Sequence, residues 1–126
     1  MKRIVGLCFA FVLTAGVATA ADTHESLVKE LLGTLKDATG VLKTVKDEKS
    51  AKDAQPRVEK IGVQMVDIKK RMEKLGKPTE AEQETLKKYK TEMEAVFKPF
   101  ADQLTRIATE KVPGGEDILK SFQNAK

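Results

Sequence analysis

The chain has 126 residues, 33% of them charged and 40% hydrophobic, with one cysteine, one histidine and a formal net charge of +4. A lone cysteine excludes an intrachain disulfide, so the fold must rest on a packed core. The near balance of 23 basic and 19 acidic residues gives no electrostatic case for a polyanionic partner, and no nucleic acid is expected.

The N-terminus reads as a secretory signal. Lys2 and Arg3 precede an apolar run from Ile4 to Leu13, and Ala18-Thr19-Ala20 supplies the small-residue pattern that a signal peptidase needs. The apolar run is too short for a comfortable membrane span. Cleavage is expected after Ala20, with the bond after Ala21 as the alternative, which makes residues 1–20 a signal peptide and 21–126 the mature domain, secreted or periplasmic. Leu7 before Cys8, near the start of the run, does not suit lipid attachment. Removing Lys2 and Arg3 from the 23 basic residues leaves 21 against 19 acidic ones, a mature net charge of +2.

The rest of the chain carries helical periodicity. A first helix, about residues 23–46, has an apolar stripe through Val28, Leu31, Leu35, Ala38, Leu42 and Val45, widened by Leu27, Leu32 and Val41 so that it can touch two neighbours. A second, about 50–75, has the a/d seam Ala51, Ala54, Val58, Ile61, Met65, Ile68, Met72 and Leu75. Ser50 with Asp53 reads as its start, and Pro56 implies either a bend or a later start near Gln55. Gly76 is placed to end it. Thr79 and Glu82 form a capping box for a third helix, about 79–111, whose seam runs Leu86, Tyr89, Met93, Val96 and then shifts to Phe97, Phe100, Leu104 and Ile107. Pro99 beside that shift predicts a kink that turns the aromatic pair toward the bundle. Pro113, Gly114 and Gly115 end this helix, and Ile118, Leu119 and Phe122 give a short last helix, about 116–123, an apolar face. The fold class is all-α: an up-down-up three-helix bundle, a long helical hairpin plus a third helix, with a short C-terminal capping helix.

Gly33 and Gly40 lie on the outward face of the first helix, where each costs about 1 kcal/mol relative to alanine. They are either tolerated or mark close approach by another helix, as in a homo-oligomer. Many charges sit as acid-then-base pairs four apart, among them Glu25 with Lys29, Asp67 with Arg71 and Asp102 with Arg106. Lys69, Lys70, Arg71, Lys74, Lys87, Lys88 and Lys90 form a candidate anion-binding belt across the second and third helices, interleaved with acids. Membrane-surface contact through this belt is a subordinate reading.

Metal chemistry has two candidates, both using His24. If cleavage followed Ala21, the new amine, the amides of Thr23 and His24 and the imidazole would surround Cu(II) or Ni(II) on Asp22-Thr23-His24. The other candidate pairs His24 with Met72, although the seam positions of Met65, Met72 and Met93 read as core filling. No cofactor is expected. Paired acids such as Glu92 with Glu94 or Asp47 with Glu48 face solvent in this pattern, and without a mature cysteine or a phosphate-cradling loop no catalytic set assembles.

Ser50-Ala51-Lys52, Pro56 and Gly76-Lys77-Pro78-Thr79, set in a lysine-glutamate hairpin, resemble short exported helical proteins of planctomycete bacteria that have no established activity. The resemblance covers about a third of the chain. It implies the fold and export, and no reaction. The leading expectation is a non-enzymatic exported bundle acting by protein–protein contact in the cell envelope, or secreted as a structural module. The alternative is a carrier or chaperone-like bundle for an apolar ligand, an unfolded chain or a membrane surface.

Overall fold

The computed structural model describes residues 22–124, which form four helices and no strand. These are α1 (His24–Thr44), α2 (Glu48–Leu75), α3 (Glu80–Thr109) and α4 (Gly115–Gln123). The signal segment and its cleavage bonds lie outside the described residues.

Each long helix begins with a reciprocal cap. Thr23 accepts from the Ser26 amide while the Ser26 side chain bonds the Thr23 backbone, and Thr79 and Glu82 do the same for α3. The cap of α2 differs from the one read in the sequence: Asp47 is the N-cap, and Ser50 is its partner three residues on. The carboxylate of Asp47 accepts from the Ser50 amide at 2.8 Å, so α2 starts before Ser50. It then runs through Pro56 without interruption, because the proline side chain is exposed and only one backbone donor is missing. Gly76 ends α2 at φ 72°, where a side chain would be strained.

α1 is central. It packs along both α2 and α3, while no Cα of α2 comes within 8 Å of a Cα of α3. The cause is the breadth of its apolar stripe: Leu27, Leu32, Leu35, Ala38, Val41, Leu42 and Val45 are all buried, more than one seam can hold. α2 contributes Ala51, Ala54, Val58, Ile61 and Ile68 to the core, and α3 contributes Val96, Phe100 and Ile107. The N-terminal end of α1 meets the C-terminal end of α2, through His24 and Gly76, and its C-terminal end meets Arg106 late in α3. The three long helices therefore run up, down and up.

The third seam needs one correction. Val96 continues to Phe100 by a step of four, which keeps both on the buried face; Phe97 lies about 100° further round and is 53% exposed. The aromatic pair is therefore split between core and solvent. The partly buried Leu104 and the buried Ile107 continue the inner file.

α4 does more than close an end. It packs on α2 and on α3, filling the upper part of the space those helices leave between them. Ile118 is fully buried, and Phe122 meets Phe100 edge-on with centroids 5.4 Å apart. Gln55 Nε2 donates to Ser121 Oγ at 2.9 Å. Two glycines admit this packing. Gly114 sits at φ 78°, and a Cβ there would stand 2.9 Å from the Ala51 methyl; a Cβ on Gly115 would stand 2.6 Å from Ile107 Cγ2. Gly33 and Gly40 meet no atom within 4 Å, so nothing in the monomer requires them.

Opposite outcomes are expected for the two glycine pairs. Gly33→Ala and Gly40→Ala should each raise stability by about 0.5–1 kcal/mol in chemical denaturation. Gly115→Ala should lower the melting temperature and weaken the near-ultraviolet circular dichroism of the Phe100–Phe122 contact.

Candidate functional site

Two features other than the core stand out: a charged clasp at the end of the molecule near Gly76, and an apolar groove between α2 and α3. The clasp joins three helices. Arg71 of α2 forks onto Asp22, with Nη2 2.6 Å from Oδ1 and Nε 2.9 Å from Oδ2, and its Nη1 donates to Glu30 at 2.9 Å and to Asp67 at 3.1 Å. A bidentate guanidinium contact is among the stronger polar contacts a partly exposed site can make. These bonds hold the Asp22 carboxyl below the usual carboxylate range and push the Arg71 guanidinium further up.

His24 is 9% exposed. Its Nε2 donates to the Gly76 carbonyl at 2.9 Å, and its Nδ1 lies 3.3 Å from Glu82 Oε1 without completing a hydrogen bond. Both groups facing the ring are acceptors. Only the doubly protonated ring can offer a proton to each, so the Gly76 carbonyl first, and then the Glu82 carboxylate, hold the His24 pKa above its ordinary value against the opposing effect of burial. Next along the seam, the Tyr89 hydroxyl donates to Glu25 at 2.7 Å, and Lys29 pairs with the same carboxylate at 3.0 Å.

This arrangement gives the candidate metal residues other work. Besides the commitments of His24 and Asp22, the Thr23 amide donates to Ser26 Oγ at 2.9 Å, and among the described residues no three His, Cys, Asp or Glu side chains are grouped to hold a metal ion. The basic belt is also divided. Arg71 turns toward α1, Lys87 pairs with Glu84, and Lys70 lines a cavity beside α4, while the wide separation of α2 and α3 keeps the two rows apart. Lys69, Lys74, Lys88 and Lys90 are exposed and carry no ion pair among the described residues. The paired acids do not converge either: Glu92 bonds Lys36, and Asp47 is a helix cap.

The groove was not read from the sequence. It is the part of the α2–α3 space that α4 leaves uncovered: nine residues of α4 span about 13 Å, against about 42 Å for the 28 residues of α2. The two helices that bound it carry the partly buried Met65, Val66, Met72, Leu86 and Met93 and the exposed Phe97, of which Met65 and Val66 line the cavities beside α4. Two cavities flank α4 where the groove begins. One, of about 520 Å³, is lined by Val63, Val66 and Gly62 together with Glu59, Asp67 and Lys70 and the polar ends of Ser121 and Asn124; the second, of about 480 Å³, by Met65, Phe100, Leu104, Leu119 and Phe122 among others. Val63 is 70% exposed.

The clasp should respond to pH in two directions. The raised pKa of His24 contributes stability that is complete below its unfolded value, about 6.5, and is lost as pH rises through the folded value. The lowered pKa values of Asp22, Glu25 and Glu82 contribute stability that is present above about pH 4.5 and is lost as pH falls through their folded values. Melting temperature should therefore peak between about pH 5 and 6.5. His24→Gln should flatten the alkaline arm and reduce the acid arm only in part, because Glu82 loses His24 but keeps the Thr79 amide and Asp22 and Glu25 keep their partners, as read by thermal denaturation across pH.

Among the described residues no helix is long and apolar enough to cross a membrane. Compared with family models, curated proteins and solved structures, the chain finds no match, so any functional reading rests on the clasp and the groove.

Proposed function

We propose that this chain is an exported, non-enzymatic helical module that acts by protein contact, and that the α2–α3 groove is the contact surface. The observation that carries this reading is the groove itself: an apolar trough held open by α1, with Phe97 and Val63 exposed beside it. Large apolar side chains that stay in water next to a concave apolar surface are typical of binding faces. Commitment of the single histidine and of Asp22, Glu82 and Asp47 to caps and clasps supports a role without catalysis. Export is supported by the basic, apolar and small-residue order of the first 20 residues.

A carrier role is the second reading, favoured by the cavity of about 480 Å³ beside α4, whose size and largely apolar lining suit a small apolar molecule. Native mass spectrometry of protein recovered from its own envelope would then show mass in excess of the bare chain.

Benzoylphenylalanine placed at position 97 in cells should cross-link to a discrete partner on illumination, whereas the same group at position 33, on the outward face of α1, should not. Equal labelling at both positions, or none at 97, would count against the groove as the contact surface.

A further inference from the structure

We propose that the occupant of the open groove is an amphipathic α-helix of a partner protein, with acidic residues flanking its apolar face. This deepens the contact reading above and rests on it.

The first argument is continuity with an interface already built. α4 is itself a short amphipathic helix seated between α2 and α3, held by Ile118 and by Phe122 against Phe100. The aromatic file does not stop where α4 stops. Phe100 also meets Phe97, with centroids 6.1 Å apart, and Phe97 stands in solvent. On the α2 side, the cavity at the end of α4 includes Ser121 and Asn124 and passes on to Val63 and Val66. The same pair of walls that accepts one helix therefore continues past its C-terminus. From Val63 to Leu75 the wall is about 18 Å long, room for some three helical turns.

The second argument is the material of the walls. Met65, Met72 and Met93 are partly buried on the two helices that bound the groove, Met65 lining the cavity beside α4, and unbranched thioethers repack around varied apolar knobs more readily than branched side chains. A helix laid in such a trough would present large apolar residues at spacings of three and four.

The third argument is charge. On the stretches of α2 and α3 that flank the groove, Lys69, Lys70 and Lys90 carry no ion pair among the described residues, while Lys74 and Lys88 lie beside the clasp carboxylates of Asp22 and Glu25. Of the acids on the same stretches, Asp67 is engaged by Arg71 and Glu92 by Lys36, which leaves Glu73 and Glu94. The unpaired excess is positive, and glutamates or aspartates flanking the incoming apolar face would meet it.

The test uses the mature chain labelled with ¹³C at its methionine methyl groups and two synthetic amphipathic helices. Both carry leucine on the apolar face; one is flanked by glutamate and the other by lysine. The glutamate-flanked helix should shift the Met65, Met72 and Met93 signals and bind at least tenfold more tightly than the lysine-flanked one. Phe97→Glu, at an exposed position, should weaken it at least tenfold without loss of helicity. Lys69→Glu with Lys90→Glu should invert the preference between the peptides. Tighter binding of the lysine-flanked helix by the wild type overturns the acidic partner and leaves the groove as a contact surface. No methionine shift from either peptide, with the chain folded, overturns both. Shifts produced by phosphatidylglycerol vesicles and by neither peptide overturn the helix in favour of a lipid surface.

Discussion

The structure depends on α1 being apolar on two sides and fastened at both ends. Its buried residues spread too far around the helix for one partner, so α2 and α3 pack on different flanks and stay apart. Buried Thr34 and Thr39 fit within this stripe because their hydroxyls donate to the carbonyls of Glu30 and Leu35 in the preceding turn. One end of α1 is tied by His24 and by the Arg71 fork on Asp22. At the other end, Arg106 Nη2 donates to the carbonyls of Leu42 and Val45, both at 2.9 Å. The Leu42 carbonyl also accepts from the Val45 amide at 3.1 Å, so the guanidinium adds a second donor there, and its charge suits the negative end of the helix dipole.

The separation of α2 and α3 is thus a result of packing, and the two features of the free surface follow from it. The upper part of the gap takes α4, whose glycine entry lets the backbone approach Ala51 and Ile107 more closely than any side-chain-bearing residue allows. The lower part takes nothing from the described chain and remains a trough. Closure of the three long helices into a ring would have buried the methionines fully and left α4 no seat.

Much of this was legible in the residues. The apolar spacing located all four helices, Gly76 and Thr79 fixed one turn, and the breadth of the first stripe pointed to two neighbours. What escaped were features set by side-chain direction. Ser50 looked like a cap because it precedes a helical run, yet Asp47 three residues earlier supplies a stronger acceptor. Phe97 looked like core because the seam was read as shifting by one position beside Pro99, whereas the step from Val96 to Phe100 already satisfies the seam. Arg71 and Arg106 were read as surface partners of acids four residues away. Asp67 does pair with Arg71, but Arg106 turns to Glu110 and to the end of α1 in place of Asp102. Local spacing cannot show that an arginine will reach a helix terminus distant in sequence. The groove was invisible for the same reason, since it is defined by two helices failing to meet.

The reach of Arg106 has a kinetic side. The carbonyls it bonds lie 64 and 61 residues upstream, so although the Val45 amide and the Thr44 hydroxyl cap Leu42 and Val41 locally, the reinforcement of this helix end comes from far along the chain. A nascent or threading polypeptide whose N-terminus emerges first would expose α1 with both flanks bare and the Val45 carbonyl without its guanidinium donor until nearly all of α3 had followed. Contacts of such high sequence separation delay commitment to the native state, because loop closure must be completed before they form. The chain is therefore expected to remain unfolded and threadable until late, then to fold in one cooperative step once the arginine arrives.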